Sequence, residues 1–134
     1  MSEETIYATM AEACALLNVD EPDLKRVMFG PEDRAPTHVT LRQILAARIA
    51  FELASVLSIE LATKVGVTAG TDAREGGGRL LVVTLADAEP RALWREADAG
   101  FNISKPALLV PADAWLAGVA AQLAEHRASA ARPN

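Results

Sequence analysis

The stretch Leu17-Asn18-Val19-Asp20-Glu21-Pro22 constrains this chain more than any other. Asparagine is one of the few non-glycine residues that tolerate positive φ. Val19 can plug the underside of a turn, Asp20 is a good helix N-cap, and Pro22 falls in a first turn, where its missing N–H costs little. The six residues predict that one helix stops and another starts across a short turn. Upstream, Thr9 and Glu12 form a capping box, and Met10, Ala13, Cys14 and Leu17 recur at i, i+3, i+4 and i+7, which gives the first helix an apolar face. Cys14 lies on that face and reads as a small buried hydrophobe. Downstream, Leu24, Val27 and Met28 supply the matching face of the second helix.

A second capping box, Thr40 with Gln43, opens a scaffold helix whose stripe runs Leu41, Ile44, Leu45, Ile49, Leu53, Val56 and Leu57. Ser58 is expected to cap a short fourth helix from Ile59 to Val65. From Gly66 to Gly78 the chain contains Gly70 and Gly76-Gly77-Gly78 and reads as a linker or a long loop. Arg79 to Leu85 and Ala107 to Val110 are short apolar runs with strand character. Pro111 then opens a helix through Trp115, Leu116, Val119, Ala120 and Leu123 to about Arg127. Trp94 sits in a segment with no periodicity to assign. The expected class is α+β: a helical head over residues 1–66, a Gly-rich linker or loop at 67–78, and a small α/β lobe over 79–134.

Composition narrows the function. No apolar run approaches the roughly 20 residues of a spanning helix, and the start, Met1-Ser2-Glu3-Glu4, is acidic rather than signal-like, so a cytoplasmic protein is expected. Cys14 has no second cysteine to pair with, and His38 and His126 show no metal-ligand spacing, so neither metal nor cofactor is expected. The glycine run precedes a strand and opens no helix, which is the wrong context for a phosphate loop. With no nucleophile elbow either, the chain does not read as an enzyme.

The segment Thr5-Ile6-Tyr7-Ala8-Thr9-Met10-Ala11-Glu12-Ala13-Cys14-Ala15-Leu16-Leu17-Asn18-Val19, followed by Leu24-Lys25-Arg26, resembles the head of MerR-type winged helix-turn-helix regulators. The loop bearing Arg34 and the run His38-Val39-Thr40-Leu41-Arg42-Gln43-Ile44-Leu45 are similar to that family's wing and the helix after it. The resemblance covers roughly residues 5–66 and implies a winged helix-turn-helix that binds double-stranded DNA and regulates transcription. Asn18 stands where the family usually has glycine. The second half has no counterpart of the family's long dimerising helix or effector cysteines, so metal or drug sensing is not implied.

On this reading Lys25 and Arg26 face the groove, Arg26 being capable of bidentate guanine readout, while Arg34, Thr37, His38 and Arg42 touch backbone phosphates around the wing. Two copies are expected to pair through the second lobe, with Trp115, Leu116, Val119 and Leu123 on a face that packs on its own sheet and on a partner; alternatively Trp115 fills the lobe's own core. Charge opposes the reading. The net charge is −5, and Asp20, Glu21 and Asp23 crowd the start of the second helix, whereas DNA binders gain affinity from basic faces. The alternative is an antitoxin-like or phage-type module that uses the head against a protein partner.

Overall fold

The computed structural model describes residues 6–29, 38–84, 92–96 and 107–131. Strand β1 (Tyr7–Thr9) leads into helix α1 (Met10–Leu17), and α2 (Glu21–Phe29) follows the turn. The start of α1 is fixed as the capping box requires: Glu12 N–H donates to Thr9 Oγ1 at 3.1 Å, and Thr9 N–H donates to Glu12 Oε1 at 3.0 Å. It ends at Asn18, which adopts φ 54°, ψ 48° and donates its N–H to the Cys14 carbonyl. Asp20 then begins α2, its carbonyl accepting from Leu24 N–H at 3.0 Å. Leu24 and Val27 are buried against the first helix's core face.

Strand β2 (His38–Thr40) pairs antiparallel with β1, placing Ala8 opposite Val39, and both are fully buried. The second capping box starts α3 (Leu41–Leu53): Gln43 N–H donates to Thr40 Oγ1 at 3.1 Å and Thr40 N–H to Gln43 Oε1 at 2.8 Å. Helix α3 is buried on two sides, with Ile44, Ala47 and Ala50 toward the head and Leu45, Ile49 and Leu53 toward the second half. The expected stripe stops there, because the chain turns after Leu53 and leaves Val56 52% exposed.

Helix α4 (Ile59–Asp72) is twice the expected length and takes up half of the expected 67–78 linker. Glycine weakens an isolated helix by about 1 kcal/mol relative to alanine, but here Gly66 and Gly70 lie directly on α3. A Cβ on Gly66 would collide with the Ala46 carbonyl oxygen, and one on Gly70 would come within 2.7 Å of the Arg42 carbonyl oxygen. The glycines are what permits the two helices to approach, and that packing outweighs their weak propensity.

The remaining strands, β3 (Arg79–Thr84), β4 (Ala92–Glu96) and β5 (Ala107–Val110), form an antiparallel sheet in the order β4-β3-β5. Trp94 thus belongs to a strand, opposite Leu81. One sheet face presents Leu81, Val83 and Val110 to α3, α4 and helix α5 (Ala112–Ala131). Its other face carries Leu93, Val82 and Leu109 in one cross-strand row, with Leu93 52% and Leu109 47% exposed.

Helix α5 changes the expected domain division. Its Leu116 packs with the sheet, while Val119 and Leu123 pack with Ala8, Met10, Ala13 and Ile44 of the head. The two halves share α3 and α5, so no head at 1–66 stands apart from a lobe at 79–134. Most of the face expected to meet a second copy packs within the chain. Leu116, Val119 and Leu123 are each at most 5% exposed within their own chain, and half-buried Trp115 lies beneath Arg48. Leu116, Val119 and Leu123 thus fill the chain's own core, whereas Trp115 keeps part of its surface. Among the described residues, no helix is long and apolar enough to cross a membrane.

Candidate nucleic-acid interface

Helix α2 turns Leu24 and Val27 inward, and the same periodicity turns Glu21, Asp23, Lys25 and Arg26 outward, where all four are exposed. Lys25 Nζ lies 3.2 Å from Glu21 Oε1, an exposed i, i+4 pair of the kind worth only a few tenths of a kcal/mol. Such a pair opens readily. Arg26 makes no ion pair among the described residues and projects from the next position. His38 is exposed at the start of β2, opposite Thr9.

Arg42 has a different occupation from the one expected. Its Nη1 donates to the carbonyls of Gly70 at 3.1 Å, Thr71 at 3.1 Å and Ala73 at 2.6 Å. These are C-terminal carbonyls of α4 and the residue that caps it, groups that a helix leaves without internal partners. A cation there also suits the negative end of the helix dipole. Arg42 therefore holds α4 to α3 and is not a phosphate contact. Nothing local announces this, since donor and acceptors are 28 to 31 residues apart. Arg34 and Thr37 lie outside the described residues.

The exposed α2 surface is charge-balanced: Glu21 and Asp23 toward its start, Lys25 and Arg26 further along. The acids also act inward. Burial pushes the half-buried Cys14 thiol above its ordinary range, and Glu21 and Asp20 push it further. A thiol held protonated is a poor nucleophile.

Two charged clusters tie α5 to its neighbours, one at each end. Arg127 on α5 donates from Nε to Glu12 Oε2 at 2.8 Å and from Nη2 to the Tyr7 carbonyl at 2.7 Å. Its hydrogen bond, joined by that of the Thr9 N–H, holds the Glu12 carboxyl at about 2. At the other end of α5, fully buried Asp113 accepts from Arg74 N–H at 2.7 Å, from Arg79 N–H at 3.0 Å and from the Arg79 guanidinium. Burial alone raises the Asp113 carboxyl, but the bonds and charge of Arg79, with the Arg74 N–H, outweigh it and hold the group below the usual range. Neither cluster was visible in the sequence, where Glu12 reads only as half of a capping box.

No protein-family model, curated protein or solved structure matches the chain.

Proposed function

We propose that the chain is a DNA-binding regulator of the cytoplasm that presents α2 to the major groove. The observation that carries this reading is the helix-turn-helix itself: α1, a left-handed Asn18 turn and α2, with Lys25 and Arg26 exposed on the outward face. Fluorescence anisotropy with duplexes from the promoter of its own gene tests it across a salt series. Replacing Lys25 and Arg26 together by alanine should weaken binding at every salt concentration and flatten the salt slope by about two ions. The same pair of changes should leave the melting temperature within a degree or two, as expected of exposed side chains. Arg42→Ala should instead lower the melting temperature, because it frees the end of α4. Duplex binding that is equally strong in the Lys25/Arg26 variant would remove α2 from the interface.

A second reading is a protein-interaction module. Leu93 and Leu109, exposed on either side of buried Val82, favour it, since apolar side chains on a sheet face suit a protein surface better than phosphates. The net charge of −5 points the same way.

A further inference from the structure

Among the described residues, Asp113 is the one charged side chain that is fully buried. It sits in the first turn of α5, yet its hydrogen bonds come from a single turn 34 to 39 positions earlier. Oδ1 accepts from Arg74 N–H at 2.7 Å and from Arg79 Nη2 at 3.2 Å. Oδ2 accepts from Arg79 N–H at 3.0 Å and from Arg79 Nε at 2.9 Å. Two donors on each oxygen use the whole accepting capacity of a carboxylate. One element thus carries the anion and another supplies every donor.

Those donors are held in place by bonds that do not involve Asp113. Arg74 follows Ala73, whose N–H donates to the Ala69 carbonyl at 2.9 Å and whose carbonyl accepts from Arg42 Nη1 at 2.6 Å. Gly77 N–H donates to the Arg74 carbonyl at 2.9 Å and closes the turn, with Gly76 and Gly78 at φ 77° and 68°. Arg79 opens β3 in register with Glu96 of β4, which fixes its N–H. Its guanidinium lies over the Trp94 ring, and Nη2 also donates to the Asp72 carbonyl at 2.9 Å. Backbone N–H groups converging beside a guanidinium fork make a concavity suited to one planar anion. It is also a tight one, since a Cβ on Gly77 would collide with Oδ2.

We propose that the turn from Ala73 to Arg79 is a carboxylate-binding site in its own right, which the chain fills in cis with Asp113. Helix α5 is then docked at its start as a ligand is docked, by one anion entering a cradle built by α3, α4, β3 and β4. Emptied of that anion, the cradle keeps four donors directed at one point and takes a small carboxylate from solution. Formate fits best, because the closeness of Gly77 leaves little space for carbon beyond the carboxylate. The inference is independent of DNA binding.

The test uses the full chain with Asp113→Ala, which removes the carboxylate and keeps the Cβ. Melting temperatures are compared in the sodium salts of formate, acetate, propionate and chloride at pH 7 and equal ionic strength. Each response is taken as the excess over the same addition to the wild type, whose site is filled. Formate at roughly 0.3 M should raise the melting temperature of Asp113→Ala by about 4 °C in excess of chloride. Acetate should give about half of that, and propionate and neutral formamide none. Adding Arg79→Met should abolish the formate response. If Asp113→Ala does not fold in chloride, the same additions are read as recovered helical circular dichroism, in the same order. A formate effect no larger than that of chloride, or one that survives Arg79→Met, overturns the proposal.

Discussion

Arg79 grips Asp113 with two parallel hydrogen bonds, Nε to Oδ2 at 2.9 Å and Nη2 to Oδ1 at 3.2 Å, at a carboxylate with no solvent contact. A face of the same guanidinium lies over the Trp94 ring, 4.1 Å from its centroid. Gly77 is pressed so closely on Asp113 that it has no room for a Cβ. The turn from Ala73 to Gly78 is thus wrapped around one buried anion. Asp113→Ala strands the Arg79 guanidinium and two backbone N–H groups, and should cost about 3 kcal/mol in urea denaturation. Asp113→Asn keeps the shape and one acceptor and should fall between alanine and wild type. A loss below about 1 kcal/mol for alanine would mean that the turn holds without its anion.

Acid should weaken the clamp between α1 and α5. In the folded state Glu12 is held at about 2, against an ordinary value of 4.5. The folded state therefore binds fewer protons than the unfolded one in this range. The stabilisation from Glu12 is complete above 4.5 and is lost as the pH falls from there to about 2. Asp113, also held low, adds to the loss in the same direction. Melting temperature against pH should fall less steeply through this window in Glu12→Gln than in the wild type, and parallel curves would show that the clamp does not couple to folding.

Asn18 tests the turn itself. At φ 54°, ψ 48° it occupies the left-handed region that β-branched residues avoid most strongly. Asn18→Gly should be neutral or slightly stabilising, and Asn18→Val should cost about 1–2 kcal/mol. Equal denaturation midpoints for the two variants would contradict that geometry.

Gly66→Ala separates propensity from packing. In an exposed helix the change gains about 1 kcal/mol. In α4 the new methyl meets the Ala46 carbonyl, a backbone atom that moves only with α3. The variant should be destabilised by about 2 kcal/mol despite its better propensity. A more stable variant, read by the same denaturation series, would mean that α3 and α4 can separate freely.

The features legible in the sequence are those whose cause is local. Both capping boxes, the Asn18 turn and the start of α5 after Pro111 each follow from residues within four positions of one another. Helix α4 was cut short because Gly66 and Gly70 look like breakers until α3 is placed against them. Strand β4 escaped notice because Trp94 gains its regularity from pairing with Leu81, not from its neighbours in sequence. Of the proposed DNA contacts, Lys25 and Arg26 were legible as the polar side of an amphipathic helix. Arg42 looked equivalent to them and is not, because its acceptors arrive from a helix some thirty positions away.

Because Val119 and Leu123 of α5 complete the core beneath Ala8, Met10 and Ile44, helices α1 and α2 lack part of their core until α5 has been made. That core must wait for residues 112–131, more than a hundred positions after Thr9 has capped α1. Contacts of such long sequence separation slow folding. They also join the two halves in one unfolding transition. Until α5 arrives, the apolar face it covers is open on the growing chain, the condition in which incomplete folds are most prone to aggregate.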